Sequence, residues 1–96
     1  MNFVTGMQER LILVRKQCDA LATRLASAGR STQAEAAPRL ELLENQVRRI
    51  NRRLDEAVNA TPASWGVSQQ EAEKNYVELQ RELAATQQWL SRRLTP

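Results

Sequence analysis

The chain has 96 residues, of which 42% are hydrophobic and 26% are charged, a balance typical of a globular domain rather than a disordered segment. Its net charge of +3 is too small for a dedicated nucleic-acid arm, and a single cysteine with no histidine excludes an internal disulfide and any histidine-based metal or catalytic site. With three glycines and three prolines, the chain has little material for the turns of a sheet. We therefore expect one all-α domain covering residues 1–96.

The first predicted element is a helix over about residues 4–29. Its apolar residues recur at alternating spacings of three and four, the pattern of a helix that packs on its neighbours along one stripe. The stripe consists of Val4, Met7, Leu11, Val14, Cys18, Leu21, Leu25 and Ala28. Cys18 is expected in it as a small buried hydrophobic residue. Gly29 is the residue type expected just past a helix end.

The second predicted helix covers about residues 37–61. Its apolar stripe has the same heptad spacing and consists of Leu40, Leu43, Val47, Ile50, Leu54 and Ala57. Pro62 disfavours helix in the residue before it, which sets the predicted end near Thr61.

The start of this second helix is ambiguous in the sequence. Thr32 and Glu35 have the spacing of a capping box, which would begin the helix early. Pro38 argues against an early start, because a proline deep in a helix removes a hydrogen bond and clashes with the preceding turn. We therefore place the start at Ala37 and assign residues 31–36 to a linker or a loose helical turn.

The third predicted helix covers about residues 68–94. The segment TPASWG, residues 61–66, predicts the connection before it, and Ser68 with Glu71 predicts a capping box at its start. Its stripe consists of Ala72, Tyr76, Leu79, Leu83, Thr86 and Leu90, with Leu94 beyond.

Three such helices, joined by connections of about six residues, predict an antiparallel up-down-up three-helix bundle with coiled-coil-like heptad seams. No single stripe is wide enough to bury itself, so the three stripes must meet in one core. The rival fold is a long hairpin that completes its core by forming a homodimer.

The stretch VRRINRRL, residues 47–54, concentrates arginine on the second helix. Its four arginines fall outside the apolar stripe and should face solvent, and residues 31–61 as a whole are neutral, with five arginines against five acidic residues. Antiparallel packing would bring them level with Arg10, Arg15 and Lys16, and the handedness of the bundle decides whether these residues share a side. A solvated helix face is the simplest interpretation of such a run.

Ile12 and Leu13 also fall outside their stripe, in the apolar run LILV. Exposed aliphatic residues next to arginine are typical of protein-binding hot spots, although partial burial in a wide core would explain them too. The partner-binding residues predicted from these patterns are Ile12, Leu13, Lys16, Arg48, Arg49, Arg52 and Arg53.

The sequence contains no catalytic, metal-binding or cofactor-binding motif, so we expect a non-enzymatic helical module that binds another protein. An inhibitor, a toxin-neutralising immunity protein or antitoxin, a secretion chaperone and an adaptor all fit, and the partner is expected to have an acidic surface. The alternative is a nucleic-acid-binding or nucleoid-associated protein that uses the basic residues. The first ten residues lack the order of a signal peptide and no apolar run would insert into a membrane, so a bacterial, cytoplasmic location is expected.

Overall fold

Three helices account for nearly all of the chain. The computed structural model describes residues 3–59 and 61–94, in which α1 is Phe3–Ala26, α2 is Arg30–Val58 and α3 is Pro62–Leu94. The helices pack as a three-helix bundle, and the predicted all-α fold is confirmed. None of these three helices is both long enough and apolar enough to span a membrane.

The directions of the helices follow from the contacts at the two ends of the bundle. Phe3 and Trp65 meet edge to face at one end, with their ring centres 6.1 Å apart. At the other end, Arg24 on α1 hydrogen-bonds Ser91 on α3 over 3.4 Å. Helices α1 and α3 are therefore parallel, and α2 runs antiparallel between them.

The core is built from the predicted stripes. Among the described residues, sixteen hydrophobic side chains are buried, and the stripes predict all but one of them. The additional member is Ala36, which is fully buried. Tyr76, Leu40, Cys18 and Ala28 are only partly buried against this core.

Two polar residues complete the core, and one predicted apolar residue lies outside it. The Thr86 hydroxyl is satisfied by donating to the Glu82 carbonyl over 2.8 Å, so a threonine on the stripe can be buried. Asn75 is buried although the stripe does not include it. The extension of the third stripe to Leu94 was wrong, because this residue lies in the last turn of α3 and is 42% exposed.

Helix α2 begins seven residues earlier than predicted, at Arg30. Gly29 is its N-cap, with extended backbone angles, and accepts the first helical hydrogen bond from Gln33 over 3.0 Å. The predicted role of Gly29 as the cap of α1 was therefore wrong, since α1 ends at Ala26. Residues 31–36 are helical rather than a linker, and Pro38 lies in the helix interior.

Tertiary contacts explain why α2 tolerates Pro38. The Gln33 side-chain amide donates to the carbonyls of Leu25 and Ala28, each over 3.0 Å, and so satisfies acceptors at the end of α1. Glu35 forms an ion pair with Arg93 of α3 instead of closing a capping box with Thr32. Together with the burial of Ala36, these contacts offset a cost of about 3 kcal/mol for a proline inside a helix.

Helix α3 also begins earlier than predicted, at Pro62 rather than at residue 68. A proline is favoured in the first position of a helix, because the N–H that it lacks has no acceptor there. The Thr61 carbonyl accepts hydrogen bonds from the backbone N–H groups of Ser64 and Trp65, both over 3.0 Å. The connections are therefore residues 27–29 and 59–61, half the predicted length.

The predicted capping box of Ser68 and Glu71 was also wrong, because both residues lie inside α3. The segment TPASWG predicts a connection because proline and glycine usually end helices. Here the proline opens the helix instead. No heavy atom outside the local backbone lies within 4 Å of the place that a β-carbon on Gly66 would occupy, so this glycine has no packing role.

The bundle is elongated, with principal extents of 53 × 21 × 16 Å. Its radius of gyration is 15.6 Å, whereas about 12–13 Å is typical of a compact domain of this length. Helices α2 and α3 share the most extensive interface, and α1 and α3 pack together least. Helix α1 is consequently the least extensively packed of the three.

Candidate protein-binding surface

The predicted partner-binding residues of α1 lie on the outside of the bundle. Ile12 is 54% exposed and Leu13 is 60% exposed, whereas their neighbours Leu11 and Val14 are buried. Lys16, one turn after Ile12, is also exposed. The interpretation of Ile12 and Leu13 as parts of a wide core is therefore wrong.

The four arginines of VRRINRRL divide between the two flanks of α2. Arg39 stacks on Trp89 of α3 over 4.9 Å, and side chains spaced three or four residues apart lie on the same flank of a helix. Continuing this spacing places Arg49 and Arg53 on the flank next to α3. Arg48 lines a groove with α1 instead.

Arg53 is engaged within the bundle. Its Nη1 atom lies 3.2 Å from a carboxylate oxygen of Glu56, and its Nε atom is buried without a hydrogen-bond partner. The Gln46 Oε1 and Asn75 Oδ1 atoms are buried and unpaired in the same way. Arg53 is thus less accessible to a partner than Arg48 and Arg52, which are exposed.

Helices α1 and α2 enclose a groove of about 500 Å³. Apolar side chains form its floor, and two residues of each charge border it. The lining residues are Arg15, Cys18, Asp19, Ala22, Leu40, Leu43, Glu44, Val47 and Arg48. Such a groove can accept an apolar side chain from a partner and offer charged groups at its edge.

A second depression, of about 260 Å³, continues this groove towards the start of α1. It is lined by Gln8, Leu11, Ile12, Arg15 and Asn51. Because Arg15 lines both depressions, the exposed Ile12 side chain lies on the same side of the bundle as the larger groove. We call this side the α1–α2 face; it comprises the lining of both depressions, and helical spacing adds Lys16, four residues after Ile12, and Arg52, four residues after Arg48.

The basic residues of the α1–α2 face are free of ion pairs. Within the described residues, Arg15, Lys16, Arg48 and Arg52 have no carboxylate oxygen within 4 Å. Arg48 donates instead to the Asn45 side-chain oxygen over 2.6 Å. These cations are available to an acidic partner without the loss of an existing salt bridge.

Arg10 does not belong to this face, although it was expected level with the arginines of α2. It forms an ion pair with Glu73 over 3.6 Å and lies 5.6 Å from the centre of the Tyr76 ring. Both partners are on α3, on the other side of α1. The expected set of seven basic residues is therefore divided, and only Arg15, Lys16, Arg48 and Arg52 share the α1–α2 face.

Cys18 lies in the groove rather than fully in the core. Partial burial raises the pKa of its thiol above the ordinary value, and the carboxylates of Asp19 and Glu44 raise it further. A raised pKa keeps the thiol protonated at neutral pH, so Cys18 contributes an apolar surface there rather than a nucleophile.

Sequence reasoning missed the groove and the aromatic contacts of the arginines. Arg39 and Arg93 both stack on Trp89, the latter over 5.7 Å. The spacing of Trp89 and Arg93 by four residues was the available signal, since it places them on one helix face. Nothing in the sequence indicated that Arg39 would reach the same ring.

No family model, curated protein or solved structure matches the chain.

Proposed function

We propose that the chain is a non-catalytic helical module that binds another protein through its α1–α2 face. The observation that carries this proposal is the combination of an apolar groove with four cations that have no ion pair. An apolar anchor of the partner would enter the groove, and its carboxylates would meet Arg15, Lys16, Arg48 and Arg52. This arrangement, an apolar centre with charged groups around it, is typical of protein interfaces.

The proposed roles are those of an inhibitor, an immunity protein or antitoxin, a secretion chaperone, or an adaptor in a bacterial cytoplasm. Each of these works by occupying a surface of a second protein and requires no chemistry of its own. Variants of the residues in the proposed interface therefore test all of these roles together.

Reversal of two charges on the α1–α2 face should remove partner binding. We expect Arg48→Glu with Arg52→Glu to reduce the amount of partner captured from the native host by at least about tenfold, because like charges would then meet across the interface. The matched control is Arg49→Glu with Arg81→Glu, which changes the same total charge outside this face. Capture of the same proteins by the wild type, the face variant and the control would contradict the assignment.

Nucleic-acid binding is the second candidate, and the four unpaired cations favour it. Two features of the face oppose it: Asp19 and Glu44 interrupt the row of cations that a continuous line of phosphates would need, and the apolar floor of the groove offers a phosphate no hydrogen-bond donor. The aromatic rings of Tyr76 and Trp89 are stacked on arginines elsewhere in the bundle, so they are not presented to bases.

Salt dependence separates the two candidates. Binding to phosphates weakens steeply with ionic strength, by about 10³ or more between 50 and 200 mM salt for a site with six or more phosphate contacts. An interface with an apolar centre responds weakly. Titration of a fluorescent DNA duplex at several salt concentrations should show only weak, salt-sensitive binding; tight binding at about 150 mM salt would favour the second candidate.

A further inference from the structure

We propose that the α1–α2 face binds a second copy of the chain, in a two-fold dimer whose helices run antiparallel across the interface. The proposal rests on the proposed function in its choice of face, and another protein would bind this face in place of the second copy. A two-fold interface uses the same surface on both copies and must therefore be complementary to itself. The order of charges and apolar residues on this face meets that requirement.

The charges change sign along each of the two helices. On α1, Arg15 is followed one turn later by Asp19, and on α2, Glu44 is followed one turn later by Arg48. A two-fold axis perpendicular to the helices packs α1 on α1 of the second copy, and α2 on α2 of the second copy. The two helices of each pair run antiparallel. Arg15 then meets Asp19 of the second copy, and Arg48 meets Glu44 of the second copy.

Both helices require the same position of the axis. The midpoint between Arg15 and Asp19 is Gln17, and the midpoint between Glu44 and Arg48 is Gln46. All four charged residues line one groove between antiparallel helices, so Arg15 lies at the same end as Arg48, and Asp19 lies beside Glu44. The two midpoints are therefore level, and one axis pairs each of these four charges with its opposite.

The other two-fold arrangement is excluded by the same charges. An axis parallel to the helices would pack α1 on α2 of the second copy without reversing their levels. Arg15 would then face Arg48, and Asp19 would face Glu44. Like charges placed opposite each other across an interface weaken association strongly, so the arrangement that packs α1 on α1 and α2 on α2 is favoured.

The arrangement that packs α1 on α1 and α2 on α2 also covers the exposed side chain of Ile12. Ile12 lies five residues before Gln17, and Ala22 lies five residues after it, so the axis brings Ile12 onto Ala22 of the second copy. Ala22 and its neighbour across the groove, Leu40, belong to the apolar lining. The 54% exposure of Ile12 in the single chain is thereby explained by burial in the dimer.

Complementary charge variants test this arrangement by sedimentation equilibrium. Arg48→Glu alone places two carboxylates opposite each other at both contacts, and Glu44→Arg alone places two guanidinium groups there. Each variant should therefore dimerise at least about tenfold more weakly than the wild type. An equimolar mixture of the two variants restores opposite charges at both contacts. We expect the mixture to form a heterodimer with an affinity close to that of the wild type.

The mixture is its own control for folding, because neither variant changes between the separate and the mixed samples. Arg81→Glu, on the outside of α3, should leave the dimer unchanged, and Ile12→Asp should dissociate it. A wild-type chain that remains monomeric up to about 1 mM, or a mixture that recovers no association, overturns the proposal. A monomer that still captures another protein through Arg48 and Arg52 would overturn the dimer alone and leave the proposed function intact.

Discussion

At the scale of single residues, Cys18 offers a direct probe of the groove, because it is the only cysteine in the chain. Burial and the nearby carboxylates of Asp19 and Glu44 raise the pKa of its thiol. Since the thiolate is the form that reacts with iodoacetamide, we expect slower alkylation at neutral pH than for an exposed cysteine, and a pH–rate profile with its midpoint at higher pH.

Removal of one of these carboxylates should shift the pH–rate profile of alkylation to lower pH. Glu44→Gln eliminates a negative charge that opposes ionisation of the thiol, so the pKa should fall and alkylation at neutral pH should become faster. Glu41→Gln, about one turn earlier on α2, is the matched control and should have little effect. Identical profiles for Cys18 and a cysteine in a short peptide would refute the burial argument.

At the scale of elements, the early start of α2 is the main difference between the prediction and the structure. A helix over residues 30–37 predicts that Ala34→Gly costs about 1 kcal/mol of unfolding free energy, because glycine is a poor helix former in an exposed helical position. Pro38→Ala should stabilise the protein by about 1–3 kcal/mol, since it restores a helical N–H group.

Chemical unfolding followed by circular dichroism measures both changes. Ala34→Gln, which places another good helix former at the same exposed position, is the control and should change stability by less than about 0.5 kcal/mol. If Ala34→Gly were equally neutral, residues 30–37 would not be a stable part of α2.

The helices and the core were predictable because helix geometry alone decides which residues of a heptad pattern face inwards. The helix starts were not, because Gln33 and Glu35 stabilise the first turns of α2 through contacts with other helices. The outward direction of Arg48 and Arg49 was predictable in the same way. Their separation onto two flanks was not, since it depends on which neighbour each flank meets.

At the scale of the whole molecule, the three interfaces are unequal. Helices α2 and α3 form the most extensive interface, whereas α1 packs less extensively on both of them. Regions with fewer buried contacts open more readily, so we expect the backbone amides of α1 to exchange with deuterium faster than those in the middle of α2 and α3. Hydrogen–deuterium exchange measured by mass spectrometry tests this, and equal protection of all three helices would contradict it.

The odd number of helices also places the two ends of the described chain at opposite ends of the bundle. Phe3 lies beside Trp65 at one end, and Arg93 lies beside Glu35 at the other, so the described part of the chain enters and leaves at opposite ends of a 53 Å rod. Two groups attached near residues 3 and 94 would be kept apart by the length of the helices. Fluorescence energy transfer between dyes at these positions would report this separation.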